Sequence, residues 1–241
     1  MPNTPRPPVV VTGAAGALGS ALVSYLAARG SRVVAVDRPE AGERLAEVAR
    51  EAVGVVPIEI AVTSSETWSP VIERISADLG PPVGAVLVAG GYRGGRRLVE
   101  RDGDSTWRSM IEMNLESARV ALGALLGPMV AQKRGSIVLV GSSAAVRPWE
   151  HPGSAAYAAA KAAVVALAQT AAAEVLADGV RVNVVLPSTI DTPQNRASRP
   201  NEDPSRWVSP GSLCEVIGFL LSDASRDVSG AAIPVYGRLG P

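Results

Sequence analysis

The fold is decided by the stretch VVVTGAAGALG, residues 9–19, in which three valines run into a turn that contains three glycines. The apolar run predicts a buried strand, and Leu18 to Arg29 has the residue spacing of a helix. Gly13, Gly16 and Gly19 allow the backbone to turn tightly between the two elements. The chain is therefore expected to open with a strand, a glycine turn and a helix.

Short apolar runs alternate with longer helical patterns along the rest of the chain. Further strands are predicted at 32–37, 55–60, 83–89, 136–140, 180–186 and 231–236, and further helices at 40–52, 66–79, 105–132, 154–178 and 210–223. The 105–132 helix is predicted to bend near Gly127 and Pro128, since proline cannot donate a hydrogen bond within a helix. Strand–helix alternation with apolar strands predicts an α/β fold with a doubly wound parallel sheet in a three-layer α/β/α arrangement. One domain is expected to span residues 1–241, with a flexible N-terminus over residues 1–8.

The composition excludes several classes of protein. Hydrophobic residues make up 47% of the 241 residues and charged residues 19%, which excludes intrinsic disorder. The 23 basic residues balance the 23 acidic ones, so the whole chain has no cationic field to attract nucleic acid or a membrane surface. Cys214 is the only cysteine and His151 the only histidine. An intrachain disulfide is thus excluded, and a metal site or a Ser-His-Asp hydrolase is not expected.

Targeting and membrane signals are weak in this sequence. The N-terminus lacks the basic and apolar regions of a signal peptide. The most apolar long window, residues 155–177, is mostly alanine and carries Lys161 and Glu174, which is too polar for a membrane span. A cytoplasmic protein is therefore expected.

The glycine turn and the strand that follows predict a dinucleotide site. Glycines let the backbone approach a pyrophosphate, whose charge is favoured at a helix N-terminus, although a lone glycine triplet can also be an ordinary tight turn. Asp37 ends the second strand, where a carboxylate binds both ribose hydroxyls of NAD. Arg38 could pair with the extra phosphate of NADP or be a solvated surface charge. The pattern favours NAD(H) over NADP(H).

Tyr157 and Lys161 lie four residues apart at the start of the alanine-rich helix and share one face of it. A nearby ammonium favours the phenolate, so Lys161 is expected to lower the pKa of Tyr157. Such a tyrosine can pass a proton to or from a carbonyl oxygen during hydride transfer. Taken alone, the same spacing is also typical of a partly exposed helix face.

Seven sequence pieces together resemble the short-chain dehydrogenase/reductase family from about residue 9 to residue 237. They are TGAAGALG at 12–19, Asp37, VAGG at 88–91, MNL at 113–115, GSIVLVGSS at 135–143, YAAAK at 157–161 and PSTIDTP at 187–193. The resemblance implies a Rossmann-like domain that oxidises or reduces a carbonyl or alcohol carbon with NAD(P). It also implies a small-molecule substrate and a homodimer or homotetramer, for which the small alanines of the 154–178 helix would allow close helix contact.

The resemblance implies a role for each matching residue. Tyr157 would be the acid/base, Lys161 its electrostatic partner, Asn114 the support of a relay water, and Ser142 the hydrogen-bond partner of the substrate oxygen. Ser143 could replace Ser142. The cofactor residues would be Gly13, Ala15, Gly16, Ala17, Leu18, Asp37, Arg38, Ala61, Val62, Ala89, Gly90, Gly91, Tyr157, Lys161, Pro187, Ile190 and Thr192.

A narrower resemblance points to dihydropteridine reductases, which reduce quinonoid dihydropterins. It rests on GALGS at 16–20, VAGGYRGG at 88–95 and LPSTIDTPQNR at 186–196. Ser142 argues against that substrate, because a ketone or alcohol benefits from its hydrogen bond and a quinonoid pterin does not. A non-catalytic dinucleotide sensor or scaffold on the same fold is the alternative from another class.

Several loop residues are candidates for substrate contact. The segment of about 193–209 is polar and contains proline, as expected of a substrate lid or of an ordinary surface loop. The run GGRR at 94–97 could bind an anion or be a solvated loop. The candidate substrate residues are Ser143, Tyr92, Trp149, Arg196 and Trp207, each of which could equally be a loop residue without that role.

Overall fold

The structure is a computed structural model that describes residues 7–100 and 104–239. Its described residues form one seven-stranded parallel sheet with the order β3-β2-β1-β4-β5-β6-β7. The strands are β1 (Pro8–Thr12), β2 (Arg32–Asp37), β3 (Val55–Glu59), β4 (Gly84–Leu87), β5 (Gly135–Val140), β6 (Val180–Pro187) and β7 (Ala232–Val235). The predicted doubly wound α/β fold is confirmed.

Helices cover both faces of this sheet. They are α1 (Ala17–Ala28), α2 (Gly42–Glu51), α3 (Ser65–Leu79), α4 (Ser105–Met110), α5 (Ser117–Ala131), α6 (Ala155–Glu174), α7 (Pro193–Ser198) and α8 (Pro210–Leu221). Neighbouring strand residues point to opposite faces, so Val10 joins the core under α3, α5 and α6 while Val11 joins the core under α1, α2 and α8. A sheet buried on both sides explains why nearly every strand is a continuous apolar run.

The strand order reverses between β1 and β4. The chain builds outward from β1 to β3 and then returns to place β4 on the other side of β1. The connections that follow β1 and β4 therefore diverge and leave a crevice beyond the carboxyl ends of these two strands, where ligands bind in open α/β sheets. Thr12 and Leu87 are the last residues of the two strands.

The predicted helix over 105–132 is wrong in its interior. The chain forms α4, then a π-helical stretch at Ile111–Glu116, then α5, which continues through Pro128 to Ala131. A π turn adds a residue to the helical repeat and is frequent at functional sites. Here it contains Asn114, so the irregularity lies at the predicted site residue, well before Gly127 and Pro128.

The structure describes the predicted flexible N-terminus in part and the predicted lid segment in full. Residues 1–6 of the predicted flexible N-terminus lie outside the described residues, and Pro8 is already the first residue of β1. The 193–209 segment begins with α7 and contains a short 3-10 helix at Pro204–Arg206. It returns to the body of the protein at Val208, which is buried and forms a β-bridge with Ile190.

One helix among the described residues, α6, is long and apolar enough to cross a membrane by length and composition, with a mean hydropathy of 1.3. Core helices of soluble proteins have the same composition. Val164, Ala168 and Ala171 of this helix pack in the core beneath the sheet, and Lys161 is buried on it.

Candidate active site

The glycine turn between β1 and α1 leaves no room for side chains at two of its three glycines. Gly13 has φ of +64°, and a Cβ there would lie 2.9 Å from the backbone nitrogen of Ala89. A Cβ on Gly19 would overlap the carbonyl oxygen of Gly13. At Gly16 the nearest atom would be 3.2 Å away. The turn therefore packs closely against the residues after β4. Its bare backbone leaves a concave surface, here named the cradle, where a pyrophosphate could approach the backbone nitrogens.

The carboxylate of Asp37 lies against this turn. Its Oδ2 accepts a hydrogen bond from the backbone nitrogen of Ala15 at 2.8 Å, and its Oδ1 accepts one from the backbone nitrogen of Arg38 at 2.8 Å. The Arg38 side chain is exposed and has Glu40 at 4.0 Å. Asp37 and the glycine turn thus form one continuous surface, with the geometry that fits the ribose and pyrophosphate of a dinucleotide.

Asn114 is buried inside the π-helical stretch. Its Nδ2 donates to the carbonyl oxygens of Gly91 at 2.9 Å and Met110 at 3.1 Å, while its Oδ1 accepts from the Gly91 nitrogen at 3.3 Å. A Cβ on Gly90 would lie 2.7 Å from this Oδ1 and 3.4 Å from Nζ of Lys161. The missing side chain at Gly90 therefore lets Asn114 and Lys161 both approach this point beyond the carboxyl end of β4.

Lys161 is 5% exposed, and its Nζ donates to the carbonyl oxygen of Val140 at 2.8 Å. Burial lowers the pKa of Lys161 to about 8, because the charged ammonium loses its hydration. Nζ lies 5.9 Å from the centroid of the Tyr157 ring. The two side chains share a helix face, as predicted.

The pKa of Tyr157 differs from the sequence prediction. Burial raises this pKa and the neighbouring Tyr92 adds to the rise, while a hydrogen bond with the Ser142 side chain opposes it. The predicted lowering by Lys161 is wrong for this structure, because the lysine ammonium is directed to Val140 and the phenol is largely removed from water.

Ser142 and Ser143 have different partners. The Ser142 side chain bonds the Tyr157 hydroxyl and accepts a hydrogen bond from the Ala144 nitrogen at 3.2 Å. The Ser143 hydroxyl lies 3.3 Å from Nε2 of His151, whose pKa is lowered by burial. Ser142 is therefore the serine that the structure joins to Tyr157, and Ser143 is joined to the neighbouring segment.

Tyr92 packs against Tyr157 from the segment after β4. The two rings meet edge to face, with centroids 5.1 Å apart and an interplanar angle of 86°. The hydroxyls of Tyr92 and Ser154 share a hydrogen bond of 2.9 Å. The rest of the Tyr92 ring is exposed and borders an open cavity of about 1340 Å³ between this segment, α4, α6 and α7.

The remaining predicted cofactor residues border the same crevice. Ala61 and Val62 follow β3, and the Ala89 nitrogen donates to Oγ1 of Thr12 at 3.2 Å. Pro187 ends β6, and the Ile190 carbonyl oxygen accepts from Nδ2 of Asn195 at 2.8 Å. The predicted residues at positions 15–18, 61–62, 89–91, 190 and 192 follow the carboxyl ends of strands, and Pro187 is itself the last residue of β6.

Three candidate substrate residues lie in different environments. Trp149 is 73% exposed, whereas Trp207 is 5% exposed and offers little surface to a substrate. Nε and Nη2 of Arg196 donate to the two carboxylate oxygens of Asp191 at 2.6 and 2.8 Å. Thr192 caps α7 by accepting from the Asn195 nitrogen at 3.2 Å, which orders this segment beside the cavity.

Sequence reasoning missed several of the groups that hold the site together. The Val140 and Met110 carbonyl oxygens are backbone atoms and carry no residue-type signal. Ser154 was visible only as the start of a helix, and its bond to Tyr92 spans 62 residues of sequence.

Comparison with known proteins supports the assignment by sequence and by structure. The family model described as short chain dehydrogenase matches residues 8–203. A cis-4-hydroxycyclohexanecarboxylate dehydrogenase of Sinomonas cyclohexanicum is 34% identical, covering 95% of this chain and 94% of that protein. The 3-oxoacyl-acyl-carrier-protein reductase FabG of Escherichia coli is 30% identical, covering 95% of this chain and 96% of that protein.

Solved structures give the same result. A short-chain oxidoreductase of Burkholderia thailandensis superposes with a TM-score of 0.85 and 32% identity, covering 98% of this chain and 93% of that one. An NAD+-bound xylitol dehydrogenase superposes with a TM-score of 0.83 and 26% identity, covering 96% of this chain and 98% of that one. The full-length match in sequence and fold, on a chain that brings Ser142, Tyr157, Lys161 and Asn114 together, places this protein in the short-chain dehydrogenase/reductase family of oxidoreductases.

Proposed function

We propose that this protein transfers a hydride between NAD(H) and a small carbonyl or alcohol substrate, with Tyr157 as the proton donor or acceptor. The observation that carries the proposal is the pairing of Tyr157 with buried Lys161 on one helix face, 5.9 Å from ring centroid to Nζ, with the Ser142 side chain next to Tyr157. A protein that only bound a dinucleotide would have no need for this arrangement, which argues against a sensor or scaffold.

The cradle at Gly13 and Gly19 and the carboxylate of Asp37 would hold the cofactor. Asp37 favours NAD(H), since a carboxylate binds ribose hydroxyls and repels the extra phosphate of NADP(H). Gly90, Pro187, Ile190 and Thr192 would border the nicotinamide half. When bound, the nicotinamide would give or accept the hydride.

The side chains around Tyr157 would then handle the proton and the substrate oxygen. Ser142 would donate a hydrogen bond to the substrate oxygen beside the Tyr157 hydroxyl. In ketone reduction the Tyr157 phenol would donate its proton to the substrate oxygen as the substrate carbon gains a hydride, and in alcohol oxidation the Tyr157 phenolate would take the alcohol proton as that carbon loses a hydride. Lys161 would favour the phenolate when its ammonium turns toward the ring, and Asn114 would hold a relay water near Lys161.

A cyclic secondary alcohol or its ketone is the substrate class that we propose to test first. One relative is named for a hydroxycyclohexanecarboxylate and another for 3-oxoacyl substrates, and both carry oxygen at a secondary carbon. The hydrogen bond of Ser142 to Tyr157 favours this chemistry over the reduction of a quinonoid dihydropterin, which needs no such serine.

We also propose a cytoplasmic homodimer or homotetramer. The exposed faces of α5 and α6 carry small residues that would allow helices of two subunits to approach closely, as at Gly123, Gly127 and Ala159. Light scattering of the purified protein would give the mass of the assembly, and a monomer at micromolar concentration would contradict the proposal.

The proposed reaction can be followed by the near-ultraviolet absorbance of the reduced nicotinamide. Purified protein would be mixed with NAD⁺ or NADP⁺ and cis-4-hydroxycyclohexanecarboxylate, and separately with NADH and quinonoid dihydropterin. Tyr157→Phe should bind NADH as the wild type does and lower kcat by about 10²- to 10⁴-fold. Unchanged turnover in this variant would remove Tyr157 from the mechanism. Rapid reduction of the quinonoid dihydropterin would show that a pterin, and not a cyclic alcohol or ketone, is the substrate class.

A further inference from the structure

The five residues Arg93-Gly94-Gly95-Arg96-Arg97, here named the arginine loop, follow Tyr92 at the edge of the site. Three guanidinium groups within five residues are unusual in a chain whose acidic and basic residues are balanced. All three arginines border the 1340 Å³ cavity beside Tyr92. The loop therefore faces the space next to the proposed proton donor.

The arginine loop is fixed to the body of the protein at several points. The Gly95 nitrogen donates to the Gly153 carbonyl oxygen at 3.0 Å, and the Arg93 nitrogen donates to Sδ of Met110 at 3.3 Å. A Cβ on Gly94 would overlap the Tyr92 hydroxyl, which is itself bonded to Ser154. Gly95 has φ of +91°, which side chains other than glycine rarely adopt. Tertiary contacts thus hold the backbone that carries the three arginines.

The other walls of the cavity are partly apolar. Leu98, Trp107 and Tyr92 are large, exposed side chains that all border it. Tyr92 also contacts the Tyr157 ring at 5.1 Å between centroids, so the cavity adjoins the reacting end of the site. Exposed apolar side chains gathered around a concave space are typical of a ligand site.

The charge around the cavity is dominated by the arginines. Among the described residues that line the cavity, the carboxylates are those of Glu100 and Asp104. Within the described parts of the chain, no carboxylate lies within 4.0 Å of a guanidinium nitrogen of Arg93, Arg96 or Arg97. The three arginines are exposed at the cavity, and a guanidinium group binds a carboxylate in a bidentate geometry.

We propose that the arginine loop is the subsite for an anionic group of the substrate. The substrate would have an apolar ring or chain against Tyr92 and Trp107, a carboxylate at the arginine loop, and its reacting oxygen at Ser142 and Tyr157. This inference rests on the proposed function, because it assigns the substrate class of that same site. It predicts that a charged substrate binds better than a neutral one of the same shape.

Binding of a probe that cannot react separates this inference from the reaction. Cyclohexanecarboxylate and cyclohexanecarboxamide have similar shapes and differ in charge, and neither carries an oxidisable alcohol. Their dissociation constants would be measured by calorimetry at low ionic strength, on the full chain with and without NADH. The charged probe should bind about tenfold more tightly than the amide. Raising the salt concentration should reduce the difference, since the loop is exposed.

Two double variants test whether the arginine loop causes the preference for the carboxylate probe. In Arg96→Gln/Arg97→Gln the two probes should bind within about twofold of each other. In Arg74→Gln/Arg226→Gln, which removes the same charge from exposed residues elsewhere, the tenfold preference should remain. Thermal unfolding would check that both double variants fold.

The outcomes bear on the inference separately from the proposed reaction. Equal binding of the two probes by the wild type, no measurable binding of the carboxylate, or a preference that persists without Arg96 and Arg97 would each overturn the anion subsite. The proposed reaction would instead fail if NADH did not bind, or if Tyr157→Phe turned over as the wild type does. If the carboxylate probe bound more tightly than the amide but either of these two tests of the reaction failed, the anion subsite would stand and only the proposed hydride transfer would be rejected.

Discussion

Nζ of Lys161 donates to the carbonyl oxygen of Val140 at 2.8 Å, at the carboxyl end of strand β5. This bond holds an ammonium group in a place where water cannot hydrate it. Burial consequently lowers the pKa of Lys161 from 10.5 to about 8. The Lys161 side chain therefore loses its charge just above neutral pH in the folded protein. The free energy of unfolding should change with pH as a result.

Stability should rise with pH between about 8 and 10.5 because of Lys161. In this window the unfolded chain keeps the lysine proton and the folded chain loses it, so the unfolded state binds more protons. Urea unfolding of wild type and Lys161→Met without cofactor should give a difference in free energy that moves in favour of the wild type by up to about 3 kcal/mol. A difference that stays constant from pH 7.5 to 10.5 would show that Lys161 keeps an ordinary pKa.

Removing the Ser142 hydroxyl should affect catalysis much more than removing the Ser143 hydroxyl. Ser142 bonds Tyr157, whereas Ser143 lies 3.3 Å from His151. We expect Ser142→Ala to lower kcat by about 10²-fold, in the range found for single donors to a developing oxyanion. Ser143→Ala and His151→Gln should stay within about fivefold of the wild type. The reverse order in steady-state kinetics would transfer the substrate contact to Ser143.

Two glycines of the first turn should respond differently to the same added methyl group. A Cβ at Gly19 would overlap the Gly13 carbonyl oxygen, while at Gly16 the nearest atom would be 3.2 Å away. Gly19→Ala should therefore destabilise the fold by about 3 kcal/mol or more and abolish NADH binding. Gly16→Ala should cost about 1 kcal/mol or less. Chemical unfolding and NADH titration would check both, and equal effects would contradict the packing described for the turn.

Asp37 should control the choice between NADH and NADPH. Asp37→Ser removes the charge that repels a ribose phosphate, so the ratio of kcat/KM for NADPH to that for NADH should rise by about tenfold or more. Glu40→Gln removes a carboxylate from the same exposed region and should change this ratio by less than threefold. If both variants keep the wild-type ratio, Asp37 is not the selective residue.

The sequence was sufficient to predict the alternating elements, the strand-helix turn and the grouping of Tyr157 with Lys161, because each follows from local periodicity or from spacing within one helix. The π-helical stretch around Asn114 could not be predicted from local spacing, and Asn114 bonds Gly91, which is 23 positions away in the sequence. The direction of the Tyr157 pKa shift was missed for a related reason. The shift depends on burial in the folded protein and on the neighbouring Tyr92, which lies 65 positions away in a loop whose path the sequence leaves open.

The hydrogen bond from the Ala15 nitrogen to Asp37 ties together two properties that are usually considered separately. The same carboxylate oxygen that would select the cofactor also supports the backbone of the turn that would bind it. A descendant of this protein that exchanged Asp37 to accept NADPH would weaken its own cradle in the same step. Such a change of preference would therefore need a compensating substitution near Ala15, and the order in which the two arise would limit the evolutionary routes open to this lineage.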